Sequence, residues 1–212
     1  RTSAADPHRT WSLFAWPQRC APASSNAVNA VAMENGQAPV NAIETGRIAE
    51  VEAWLDNGGD PTMFSDIEPD RSLLRCAARR GRAEIISLLL SRGADIDATD
   101  ADGRTAVYEL LNYWVTCGSL PALKVLLSHG ADVNKTKQSG FLVGQSPLMI
   151  AISAGPDFVR MLLRAGADPE HRTRDLAGGN STAEEQCRSD RYSLRCSASA
   201  DLLRDIRLAG GW

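Results

Sequence analysis

The sequence predicts an all-α solenoid of stacked helix-turn-helix units joined by β-turn loops. Three observations point there. A four-residue signature recurs as Gly58-Gly59-Asp60-Pro61, Gly93-Ala94-Asp95-Ile96, Gly130-Ala131-Asp132-Val133 and Gly166-Ala167-Asp168-Pro169, at spacings of 35, 37 and 36 residues. An amphipathic run precedes each copy: Val51 to Leu55, Ile85 to Leu90, Leu123 to Leu127, and Phe158 to Leu163. A second, shorter helical pattern lies upstream of each run. Self-similarity at such a period is the mark of a repeat array.

The run before each signature is the second helix of its unit. In the second unit Ile85, Ile86, Leu88, Leu89 and Leu90 cover more of the circumference than a surface helix can, so that helix is packed between neighbours. The following glycine ends the helix in a left-handed conformation without a Cβ penalty, and Asp or Asn turns the chain. The first helix is clearest in Ser72-Leu73-Leu74-Arg75-Cys76-Ala77-Ala78-Arg79-Arg80-Gly81. The fourth unit repeats it as Ser146-Pro147-Leu148-Met149-Ile150-Ala151-Ile152-Ser153-Ala154-Gly155. The third reads Asp100-Ala101-Asp102-Gly103-Arg104-Thr105-Ala106-Val107-Tyr108, a turn leading into a helix.

These segments resemble the ankyrin-repeat pattern T-P-L-H-x-A-A-x-x-G, in which paired alanines let adjacent helices approach closely. The resemblance runs from about residue 38 to 209 and implies an ankyrin-repeat solenoid with units about 38–61, 62–97, 98–134, 135–170 and 171–209. A leader, 1–37, precedes it and a tail, 210–212, follows. The end units are expected to be degenerate, because their outer faces meet water. The first, Val40 to Pro61, begins directly at its first helix. The last has Thr182-Ala183-Glu184-Glu185 as first helix and Asp201 to Leu208 as second, with Leu202, Leu203 and Ile206 on one apolar stripe. Between them, 188–199 is longer than the pattern and has no predicted form.

The chain departs from the pattern in two ways. The histidine of T-P-L-H is replaced by Asn41, Arg75, Tyr108 and Met149, so the bonds it makes between turns are missing or remade and stability is expected to be lower. Two insertions also stand out. Asn112 to Cys117 occupies a place where the pattern has two residues, and the turn from Lys135 to Gln145 is four residues longer and carries Phe141, Leu142 and Val143. Solenoid loops tolerate length change because they do not interrupt the stacked core. Their apolar residues either fold back on the next repeat or anchor a partner.

Composition excludes several functions. The 212 residues carry 23 basic and 26 acidic side chains, so no global field draws nucleic acid or an anionic membrane. No run of about 18 apolar residues is present to span a bilayer. Cys20, Cys76, Cys117, Cys187 and Cys196 form no Cys-x-x-Cys pair, which argues against a disulfide framework and for an intracellular location, cytoplasmic or inside an organelle. Cys76, in an apolar run, reads as a small buried hydrophobe. His8, His129 and His171 lie near no cysteine pair, so neither metal nor cofactor is expected. Gly-rich phosphate loops, Gly-x-Ser-x-Gly and His-Glu-x-x-His are all missing, and no catalytic residue is nominated. His129, at a helix end, favourably meets the helix dipole.

The expected function is therefore a non-catalytic module that binds one or more proteins through a concave groove and turn tips, with no small-molecule substrate. Arg71, Arg75, Arg79, Arg80 and Arg82 cluster on and around one short helix. The resemblance places Arg79 and Arg80 on the concave groove. The cluster is either a contact for an acidic peptide, since Arg pairs bidentately with carboxylates, or a charged face neutralised by Glu84 and neighbouring acids. Nucleic acid is disfavoured because no basic stripe continues elsewhere. The candidate contacts are Arg71, Arg79, Arg80, Asp102, Arg104, Tyr113, Trp114 and Leu142.

The leader suggests the alternative. The chain starts at Arg1 rather than a methionine, which predicts a fragment or a processed form. Its first 33 residues hold three arginines, one acid and many Ala and Ser, as a transit peptide or a disordered leader would. Within it Trp11, Phe14 and Trp16 form an aromatic knot, and Ser24 to Met33 fit one short helix. These aromatics dock either on the first repeat or on a partner. On this alternative, the chain is an accessory subunit of a large assembly, organellar (mitochondrial or plastid) in some versions, tethered by its leader.

Overall fold

The computed structural model describes residues 39–65, 70–113, 119–139, 143–174, 180–185 and 194–208. Helices come in consecutive pairs: α1 (Val40–Thr45) with α2 (Ile48–Asp56), α3 (Leu73–Arg79) with α4 (Ala83–Ser91), α5 (Ala106–Asn112) with α6 (Ser119–Ser128), and α7 (Pro147–Ala154) with α8 (Pro156–Arg164). A two-stranded antiparallel hairpin follows, β1 (Arg172–Arg174) and β2 (Asn180–Thr182), with Thr173 opposite Ser181. Helix α9 (Leu194–Leu208) comes after it.

Capping chemistry explains where the helices begin and end. The Ser72, Thr105 and Ser146 hydroxyls accept the backbone N–H three residues on, from Arg75, Tyr108 and Met149, which satisfies an otherwise orphaned helix donor. Pro147 and Pro156 stand in the first turn, where the missing N–H costs nothing. At the other end Gly93, Gly130 and Gly166 adopt φ of 92°, 84° and 88°. The next N–H then reaches back five residues, Ala94 to Leu89 O at 3.0 Å, Ala131 to Leu126 O at 3.2 Å and Ala167 to Leu162 O at 3.0 Å. Left-handed backbone of this kind is routine only for glycine.

The same turn is then built four times. The Asp60, Asp95, Asp132 and Asp168 carboxylates accept the N–H two residues on, from Thr62, Asp97, Asn134 and Glu170, at 2.8 to 3.0 Å. Adjacent turns are also tied to each other. Asp97 Oδ1 accepts from Asp132 N at 3.1 Å, and Asn134 Oδ1 accepts from Asp168 N at 2.9 Å. The repeating signature thus bonds within its own unit and to the next one.

The inner helices α1, α3, α5 and α7 pack in succession, and α2, α4 and α6 form a second row outside them. Ala77, Ala78 and Ala151 are fully buried, as close approach of inner helices requires. Leu73, Leu74, Ile85, Ile86, Leu89, Leu110, Leu123, Leu126, Leu148 and Leu162 fill the space between the rows. Cys76 is buried inside this core.

The last unit differs from its sequence reading. Residues 183–185 are helical, and the Thr182–Glu185 pair forms a reciprocal cap: Thr182 N donates to Glu185 Oε2 at 2.9 Å and Glu185 N to Thr182 Oγ1 at 3.3 Å. The second helix, however, starts at Leu194 and not at Asp201, so part of the linking stretch is helical. Helix α9 packs on both α7 and α8. Ser199 is buried and donates to Ile152 O at 3.0 Å, and Leu203 is buried beside it. Arg207 pins the helix end to Glu170 at 2.6 Å and to Glu184 at 3.1 Å. The β1–β2 hairpin was also absent from the sequence reading.

Candidate interaction surface

In the second, third and fourth units the position that carries histidine in T-P-L-H joins one unit to the next, with a different chemistry each time. In the second unit Arg75 is 1% exposed and lies between two carboxylates of the third. Its Nη2 stands 2.8 Å from Asp100 Oδ2 and 3.2 Å from Glu109 Oε2, and its Nη1 donates to Asp70 O at 3.0 Å. In the third unit the Tyr108 hydroxyl donates to Gln145 Oε1 at 2.8 Å. In the fourth, Met149 Sδ accepts from the Thr173 hydroxyl of β1. At Arg75, Tyr108 and Met149 the bonds expected to be missing or remade are remade, while Asn41 is exposed.

Around Arg75 the charges form one continuous network. Glu109, on α5, is completely buried, and its Oε1 lies 3.2 Å from Arg71 Nη2. Asp100 opens the turn before α5 and accepts from Arg104 N at 2.8 Å and Arg104 Nε at 2.7 Å. Arg104 Nη2 continues to Asp102 Oδ2 at 3.2 Å. Asp102 accepts from the Ser139 hydroxyl, and its carbonyl accepts from Gln138 N at 2.7 Å. Three cations, Arg71, Arg75 and Arg104, thus meet three anions, Glu109, Asp100 and Asp102. A buried charge is costly unless paired, and this arrangement sets a carboxylate against each guanidinium.

The network also sets its own protonation. Burial pushes the Asp100 carboxyl up, but the Arg104 N–H bond and then the Arg75 and Arg104 charges outweigh it, leaving the group below its ordinary value of 3.8. Burial opposes the charge on Arg104 as well, yet Asp100 and its neighbours raise its pKa. For Tyr108 burial dominates, and the phenol is pushed up to about 12.

The arginine cluster of the sequence separates into two groups. Arg71 and Arg75 belong to the interior. Arg71 is 8% exposed, so its nomination as a partner contact is corrected: its guanidinium is engaged by Glu109. The remaining three lie at the inner-helix ends. Arg79 sits 3.9 Å above the Tyr113 ring, a cation–π stack joining the second and third units. Arg80 pairs with Glu44 at 3.0 Å, and Arg82 donates to the Glu44 carbonyl from Nε and Nη2, capping the end of α1. The acid that meets Arg80 is Glu44 of the first unit rather than the sequence neighbour Glu84.

The structure therefore brings Asp102 with Arg104, and Arg79 with Tyr113, while Arg80 stands beside Glu44. Trp114 and Leu142, and the leader residues Trp11, Phe14 and Trp16, lie outside the described residues. Sequence reasoning missed Glu109 and Ser139. For Glu109 a signal was available, an acid inside the otherwise apolar run Ala106 to Leu111. Among the described residues outside the helices, Phe64 and Val143 are exposed apolar side chains, at 45% and 47%.

Among the described residues no group of His, Cys, Asp and Glu could hold a metal ion, and no helix is long and apolar enough to cross a membrane. The family model for ankyrin repeats (three copies) matches residues 40–137 and 108–173, well over half of the chain. The chain belongs to the ankyrin-repeat family. No curated protein matches it. Ankyrin repeats are typically non-catalytic and generally serve as protein-interaction modules, which suggests protein partners here.

Proposed function

We propose that this ankyrin-repeat chain grips a protein partner through its concave groove and turn tips, without catalysis. The observation that carries this reading is the Arg79–Tyr113 stack at the inner-helix ends. A guanidinium laid on an aromatic ring is held in one orientation, so the stack presents a fixed cation-and-ring feature across the second and third units. Arg80, beside Glu44 at the same helix ends, and Asp102 with Arg104 on the turn that leads into α5 are proposed as further polar contacts, and Trp114 and Leu142 as apolar anchors. Ion pairs within this surface make it close to neutral. Recognition then depends on geometry more than on net attraction, and binding should respond only weakly to salt.

Mild affinity purification of the tagged full-length chain, with sizing and mass spectrometry, tests this. One or two companions should be captured, and Arg79→Ala combined with Tyr113→Ala should reduce their recovery by about tenfold. Arg160→Ala, on the outer helix α8, should leave recovery unchanged. If the double variant retains its companions, the groove-edge assignment is wrong. Migration in one large complex of fixed stoichiometry, lost on removal of residues 1–37, would favour the built-in subunit reading instead.

A further inference from the structure

The network from Arg71 to Ser139 crosses three units, and only part of it is needed for packing. At its inner end Glu109 and Arg75 are almost fully buried between α3 and α5. At its outer end the Arg104 and Asp102 side chains are 28% and 34% exposed on the turn of the third unit. Ser139 and Gln138 of the fourth unit's long turn then bond to Asp102. Close packing supports the same junction. A Cβ on Gly103, whose φ is 77°, would come within 2.7 Å of Gln138 Cγ and 3.1 Å of its N. The turn of the fourth unit thus rests directly on the turn of the third.

We propose that the buried pair Glu109–Arg75 positions the turns of the third and fourth units, holding Asp102, Arg104 and Ser139 as one preformed recognition surface. Both are positioning residues, acting on the surface through Asp100 and Arg104. The inference rests on the interaction reading above and deepens it by stating which interior groups shape the surface. The physical reason is the shared carboxylate oxygen. Asp100 Oδ2 accepts from Arg75 Nη2 at 2.8 Å and from Arg104 Nε at 2.7 Å. Arg75 is itself centred by Glu109. Removing the Glu109 charge takes away one of the two carboxylates that hold Arg75. Asp100 is then drawn toward the interior, and Arg104 loses the anchor that orients Asp102.

Hydrogen exchange on the full chain reads this without a partner. With Glu109→Gln, peptides covering 98–105 and 135–146 should exchange about tenfold faster, while α8 and α9 stay unchanged. Arg71→Gln on its own should have a smaller effect. Added to Glu109→Gln, it removes the cation that faced the lost carboxylate and should restore much of the protection, a coupling that independent packing defects would not show. Acceleration confined to α3 and α5, or purely additive effects of the two substitutions, would overturn the proposal.

Should Glu109→Gln fail to fold, Asp102→Asn with Ser139→Ala tests the outer end. Faster exchange in 135–146 with α5 unaffected supports the junction, and unchanged exchange there refutes it. Exchange is measured on the free chain, whereas the interaction reading is tested by capture. Failure of one is therefore distinguishable from failure of the other.

Discussion

The junction between the second and third units and the junction between the third and fourth start from the same position in the repeat. At the first, Arg75 enters a buried field of charges; at the second, Tyr108 makes one neutral hydrogen bond to Gln145. Both join neighbouring units, one repeat apart along the stack. The difference lies in what happens when a partner is lost. A neutral bond leaves two weakly solvated groups, whereas the ionic junction leaves a full charge inside the core. The repeat thus specifies where a junction stands and leaves its chemistry to the individual side chain.

The largest expected effect is at the ionic junction. Glu109→Ala should cost about 3–5 kcal/mol, because Arg71 and Arg75 would keep their charges in the interior. Urea unfolding followed by circular dichroism measures it, and a loss close to that of an ordinary surface substitution would mean water reaches the site.

Protonation separates the two junctions next. Asp100 has its pKa lowered in the folded chain, so its contribution is complete above 3.8 and is lost as pH falls through the lower, folded value. Tyr108 is shifted the other way. Its contribution is complete below 10 and is lost as pH rises from there toward about 12. Asp100→Asn should flatten the acid limb of a stability–pH curve relative to the parent, and Tyr108→Phe should flatten the alkaline limb. Parallel limbs in parent and variant would show that neither junction controls its side.

Near neutral pH, Tyr108→Phe should cost only about 1 kcal/mol, the net value of one hydrogen bond whose acceptor can turn to solvent. Smallest of all, Arg160→Ala, which breaks an exposed pair with Asp157 at 3.0 Å, should shift stability by less than about 0.5 kcal/mol. An effect at Arg160 equal to that at Glu109 would erase the distinction between buried and exposed ion pairs.

Much of the fold was legible because its signals are local. Ser72, Thr105 and Ser146 each cap a helix through an N–H three residues away, and Gly93, Gly130 and Gly166 end one within the same turn. The candidate surface was legible only in part. Asp102 and Arg104 stand in one turn, and their pairing follows from closeness in sequence. Arg71 read as an exposed cation because its partner, Glu109, is far along the chain, on another helix. The start of α9 at Leu194 was hidden for a different reason. Leu194 to Ala200 carries small and polar residues without a clear apolar stripe, and its helix is supported by packing on α7 and α8.

By itself the sequence determined the repeat, the helix caps, the left-handed glycines and the aspartate turns. Each acts over two to six residues, where covalent connection alone brings the groups together. The tertiary structure decided which charges meet: Arg75 with Asp100 and Glu109, Arg80 with Glu44, and Arg79 over Tyr113. These partners are separated by 25 to 36 residues. Only the stacking of one unit on the next sets their distance; around Arg75 it also strips the water away, whereas the Arg80–Glu44 pair stays solvated.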